Sequence, residues 1–244
     1  MRPDLDLRAH LDTRSGGLVL ALSCALIALV VTTAGLAQPF LSSARVSEAG
    51  LTLVAARSAL GLVLPVLAVT VIAGGWSDGS IQQSVLLRPG RLGLLGGRLL
   101  AGAGLGAAVS LLALLLSLLM TWAGGTLLGD GADFAQVGGM LRDFGAVLAA
   151  QLLLGLAAGV LLQSVPVALV VAIALPILTA LADPLAAVTG SDMLRTLLRA
   201  LDLPGAALAA VSGTAGAPEV VAVLLLAVAP LAVGARRWCR REIP

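Results

Sequence analysis

The chain has 244 residues, of which 59% are hydrophobic and 11% charged, with a mean hydropathy of +1.06. Soluble domains carry about a quarter of their residues charged, so this composition excludes a soluble globular protein and predicts an integral membrane one. The formal charge is only +2, and all fifteen basic residues are Arg, which also excludes a phosphate loop of the G-x-x-x-x-G-K-[ST] kind, because that loop needs a lysine.

In chain order, the polar start comes first. Leu5, Leu7, Ala9 and Leu11 alternate with charged residues up to Arg14, which predicts a short interfacial helix, a disordered tail being the alternative. The uncharged run 18–37 is about the 20 residues a span needs and longer than a signal-peptide core, so it is expected as a retained span. Further runs at 58–75 and 99–121 predict the second and third spans, separated by a polar, arginine-bearing loop at 76–98. Residues 144–182 carry no charge and are about twice one span in length. They predict a helical hairpin, 144–162 and 166–182, that turns at Gln163, Ser164 and Pro166. Met193, Leu194, Leu197, Leu198 and Leu201 recur at helical spacing against Arg195, Arg199 and Asp202, so 192–210 reads as an amphipathic segment on the outer face, broken at Pro204 and Gly205. A sixth span at 219–235 stops at Arg236 and Arg237.

Basic residues near span ends favour the cytoplasmic side. With the N-terminus inside, ten arginines fall there: Arg2, Arg8, Arg14, Arg88, Arg91, Arg98, Arg236, Arg237, Arg240 and Arg241. Five fall opposite: Arg45, Arg57, Arg142, Arg195 and Arg199. The expected fold is therefore an all-α polytopic membrane protein, one transmembrane domain over residues 1–244 with six spans and both termini in the cytosol. Gly93 with Gly97, Gly102 with Gly106, and Gly155 with Gly159 stand four residues apart, a spacing that suits close helix packing and is also frequent by chance in a chain with 29 Gly.

Ionisable groups deep in a membrane are functional by default, and none is expected at depth in the six spans. The single His, His10, lies in the polar N-terminal segment, while Cys24 and Cys239 are far apart, so neither a zinc site nor a Ser-His or Cys-His dyad can be assembled within the spans. Asp130, Asp133, Asp143, Asp183 and Asp192 are expected as solvated outer acids. No catalytic site, cofactor, metal or nucleic-acid partner is expected. Ser23, Thr32, Thr33, Ser110, Ser117 and Gln151 suit hydrogen bonds between helices, and Pro65 and Pro176 are expected to kink their spans.

The loop at 76–98 reads WSDGSIQQSVLLRPGR and continues to Gly96-Gly97-Arg98. It resembles the cytoplasmic loop of bacterial ABC transporter permeases of the type 2 export family, with Asp78, Gly79, Ser80, Leu86, Leu87, Pro89, Arg91 and Arg98 at matching positions. The stretch 197–213 and the ending RRWCRRE are similar to actinobacterial-type members. One position departs: Gly75 stands where members often carry Glu. The resemblance implies that the loop forms a coupling helix which, with the N-terminal helix, docks on a cytosolic ATPase subunit, and that two permease chains, identical or paralogous, work together in the cytoplasmic membrane.

The residues suit that role. Asp78 and Ser80 can cap a short helix, Ile81, Val85 and Leu86 offer an apolar face, Pro89 and Gly90 end it, and Arg88 and Arg91 form a charged rim. Setting topology is the competing role for these arginines, and the one expected of Arg98, Arg236, Arg237, Arg240 and Arg241. Uncharged spans predict an apolar or amphipathic substrate: a drug-like molecule, a lipid or an antimicrobial peptide. A haem-exporter permease of cytochrome c maturation and a non-transporting immunity or scaffold protein are the alternatives.

Overall fold

The computed structural model describes residues 3–41, 45–77, 79, 81, 90–135 and 137–240. In chain order its elements are α1 (Pro3–Leu11), α2 (Arg14–Leu41), β1 (Val46–Glu48), α3 (Ala49–Ser77), α4 (Arg91–Leu127), β2 (Gly131–Asp133), α5 (Val137–Leu162), α6 (Val165–Thr189), α7 (Asp192–Ala200), α8 (Leu203–Ser212) and α9 (Ala217–Arg240). Six of these helices, α2 to α6 and α9, are long and apolar enough to cross a membrane, and the chain is a multi-pass membrane protein. Helix is the only open-ended form that satisfies every backbone group in lipid, and the Leu- and Ala-rich runs favour it intrinsically.

The helices are longer than the uncharged runs that predict them. α4 has 37 residues, about 55 Å at 1.5 Å per residue, against a hydrocarbon core of about 30 Å. Ends that leave the core tolerate charge, which is why a run bounded by arginines understates its helix. Local signals set the boundaries: the Gly16 N–H donates to Thr13 Oγ1 (3.0 Å) at the start of α2, and left-handed Gly190 (φ 63°) stops α6. The predicted turn at 163–166 is present, with Pro166 in the first turn of α6. Residues 192–210 form two helices, broken at Leu201 and Asp202, and Pro204 lies in the first turn of α8. Within α9, residues Leu224–Val228 form a π turn directly before Ala229 and Pro230; proline has no N–H to donate and its ring crowds the preceding turn, and a widened turn accommodates both.

α3 is the central helix. Its most apolar stretch is 67% buried, against 17% for α2, α6 and α9, whose remaining surfaces face outward. Leu60, Leu64 and Leu67 of α3 pack with Ile27 and Val31 of α2, Leu105 and Val109 of α4, and Phe144 and Leu148 of α5. Small residues permit this approach. A Cβ on Gly155 would lie 2.8 Å from Ala68 Cβ and from Pro65 Cα, and one on Gly159 3.1 Å from Ile72 Cβ. Gly102 and Gly106 of α4 receive Leu156 and Leu152 of α5. The third predicted pair divides: Gly97 lies against the Asp6 carboxylate of α1, whereas a Cβ on Gly93 would meet nothing within 4 Å.

α3 and α4 also share a buried pair of hydroxyls, Thr52 Oγ1 and Thr121 Oγ1 at 2.5 Å; one donates to the other, and the accepting hydroxyl donates its own proton to its helix, at Ala49 O for Thr52 (3.0 Å) or Ser117 O for Thr121 (2.9 Å). Thr121→Val keeps the shape and removes the interhelical bond, so it is expected to cost about 1 kcal/mol. The double change with Thr52→Val should cost little more than either single change, a comparison read from SDS-titration unfolding of the four variants in mixed micelles.

α1, the predicted N-terminal helix, packs across the start of α4 and sends Leu7 into the core. It shares one face of the bundle, the terminal face, with the end of α3, the turn at 163–164 and the end of α9. On the opposite face, β1 and β2 pair in parallel, with Val46 opposite Gly131, and the buried Gln38 amide clamps Glu48 by two hydrogen bonds (2.8 and 3.1 Å). These three-residue strands are an addition to the all-helical expectation.

Candidate functional site

Six of the nine residues predicted to meet an ATPase, Asp78, Ser80, Val85, Leu86, Arg88 and Pro89, lie outside the described residues, as does Arg241. The flanks of the loop are described, and they bear on two expectations. Gly79 has a left-handed backbone (φ 75°), a conformation open to glycine at no steric cost. Ile81 is 3% exposed and packs with Ile72, Leu94, Leu95 and Trp238. Ile81 therefore anchors the loop to its own bundle and does not present itself to a partner. An isoleucine beside the Trp76, Leu94 and Leu95 side chains is drawn inward by the same apolar burial that the sequence reading assigned to a docking groove.

Arg98, expected to set topology, is more deeply placed than the boundaries of its run suggest. α4 begins at Arg91, so Arg98 lies seven residues into the helix and is 9% exposed, not a solvated flank of the span. Its Nη1 donates to Ile72 O (3.3 Å) and its guanidinium lies 5.9 Å from the centre of the Trp238 ring. The Trp76 and Trp238 rings meet edge to face at 5.2 Å. Gly75 makes this possible, because a Cβ there would stand 2.5 Å from Nη1 and 2.6 Å from Nη2 of Arg98. The position that departs from the resembled family thus carries glycine where the guanidinium needs its room.

Two further arginines fasten the same face. Arg91 Nη1 donates to Cys239 O (2.9 Å), and Arg237 Nη1 donates to Leu161 O (3.0 Å). Both acceptors lie in the last turn of a helix, α9 and α5 respectively, where carbonyls lack intrahelical partners and the dipole favours cations. Arg236 and Arg240 are exposed. Trp76 and Trp238, which the sequence reading left without a role, are two of only three Trp in the chain. That scarcity was the available signal. The last span is thereby pinned to both flanks of the loop at 78–90.

A second constellation lies on the opposite face, where Arg57 and Asp183 are expected. Arg57 is inside α3 and Asp183 inside the apolar part of α6. Both line a cavity of about 550 Å³ bounded by α3, α5, α6 and the α7–α8 pair. Among the described residues no three His, Cys, Asp or Glu side chains gather as metal ligands. No family model, no curated protein and no solved structure matches this chain.

Proposed function

We propose that this chain is the transmembrane subunit of an ATP-driven exporter of the ABC type 2 export class, working as two permease chains with two cytosolic ATPase chains in the cytoplasmic membrane. The terminal face, with both termini, is cytosolic. The observation that supports the reading is the pinning of the loop at 78–90: its flanks at Trp76, Ile81, Arg91 and Arg98 are held to α9 by ring contacts, apolar burial and hydrogen bonds to carbonyls. A push delivered to such a loop moves α3, α4 and α9 together, because packed helices transmit displacement instead of absorbing it. The chain has no lysine and hence no phosphate loop, so hydrolysis belongs to the partner.

Because Ile81 is internal, docking falls to the 82–89 segment. Leu86→Asp with Val85→Asp is expected to abolish co-purification with the ATPase and to lower substrate-stimulated ATP hydrolysis at least tenfold, without changing the permease melting temperature in detergent. Retention of the ATPase by the folded double variant would sink the docking assignment.

A further inference from the structure

The cavity on the opposite face is walled by charge of both signs. Arg57 comes from α3, Asp183 from α6, and Arg199 and Asp202 from the α7–α8 pair. A second chamber of about 410 Å³ continues from it, sharing Asp183, Arg199 and Asp202 and extending to Thr214 and Glu219. Four opposite charges around one space would be expected to collapse into ion pairs. They do not: among the described residues Arg57, Asp183 and Arg199 form no ion pair within 4 Å, and Asp202 spends Oδ1 on the Gly205 N–H (3.0 Å), capping α8. The helices that carry them hold them apart.

Depth separates their roles. Along its helix Arg57 is about 12 Å, and Asp183 about 9 Å, from the opposite-face end, whereas Gln151 is about 21 Å from the start of α5. Gln151 therefore lies at the deep end, beside Gly61 and Thr179. Its Oε1 is buried and has no hydrogen-bond partner. Arg199 and Asp202 stand over the entrance from α7 and α8.

We propose that this cavity binds a zwitterion, a molecule carrying one anionic phosphate or carboxylate and one ammonium group. Arg57 and Arg199 take the anion, and Asp183 takes the ammonium. A purely cationic or purely anionic solute meets one like-charged pair or the other, whereas a zwitterion satisfies both signs at once. This deepens the export reading and rests on it for its purpose, naming the polar end of an amphipathic substrate. The expectation of an apolar or amphipathic substrate is accordingly narrowed to an amphipathic one with a charged head. The same chemistry is offered by a lipid head group and by a small soluble zwitterion.

The test is a thermal-shift titration of the purified full-length chain in detergent, without any ATPase. The probes are glycerophosphoethanolamine, phosphatidylethanolamine in mixed micelles, and glycerophosphate and ethanolamine as single-charge controls. A rise in melting temperature with either zwitterionic probe, at least twice that with the controls, is expected, and it should be lost in both Arg57→Gln and Asp183→Asn. Arg57→Lys, which keeps the charge, should retain part of it and shows that loss is not misfolding. A response to the soluble head group assigns a small zwitterion as sufficient; a response to the micellar lipid alone assigns the lipid. No shift with either zwitterion, or an equal shift in the variants, overturns the proposal. Binding without ATPase co-purification would leave the site standing and sink export, and the converse would do the reverse.

Discussion

Trp238→Ala is expected to lower the stability of the bundle by about 3–5 kcal/mol, the range for emptying a fully buried aromatic site. The ring is 2% exposed and packs with Ile72, Ile81, Leu94 and Val160. Its removal also strips the edge-to-face contact from Trp76 and the π face from the Arg98 guanidinium. A cation kept out of water then loses part of its compensation, and that loss adds to the cavity cost. Trp238→Phe retains a ring and should cost less than half as much. The readout is the midpoint of unfolding in mixed micelles. A loss below about 1 kcal/mol for the alanine variant would show that the Trp238 cluster does not hold the terminal face together.

Gly155→Leu is expected to be at least as damaging. Its Cβ alone would stand 2.8 Å from Pro65 Cα and Ala68 Cβ, and Pro65 is backbone of the central helix, which cannot yield as a flexible side chain does. α3 and α5 must then separate, losing the burial of Leu64, Leu67 and Leu148 between them; overpacking typically costs about 1–3 kcal/mol even where the core can adjust. Gly104→Leu is the matched control, since a Cβ at Gly104 meets nothing within 4 Å. On size-exclusion chromatography the Gly155 variant should aggregate and the Gly104 variant should elute as wild type. If both elute alike, the close α3–α5 contact is not what the bundle depends on.

The fold was legible in the sequence wherever it rested on hydropathy. Five apolar runs, one of them twice the length of a span, predicted six long helices, and the hairpin turn at Gln163–Pro166 was readable from its turn residues. Helix ends were less so: runs drawn between charges stopped short of Arg57 and Asp183, because such a run ends at a charge, whereas both helices continue past it. The strands at Val46–Glu48 and Gly131–Asp133 are too short to show a period of two. The candidate sites were harder for a different reason. The Arg98–Trp238 contact joins residues 140 positions apart, and nothing local in either segment signals the other. Ile81 was read as outward because a helical face specifies which residues lie together, not which of two apolar surfaces receives them.

The joining of Trp76 and Arg98 to Trp238 has a consequence for how the protein is made. α3 and α4 enter the membrane while α9 is still untranslated, so Arg98 and the loop at 78–90 wait without the ring and the Cys239 carbonyl that later fasten them. Until the sixth span inserts, the loop is tethered by its ends and by Ile81 against Ile72, Leu94 and Leu95. On the export reading, docking of the ATPase is thereby ordered after completion of the bundle, and a chain stalled before α9 would present an unlocked loop to the cell's quality control.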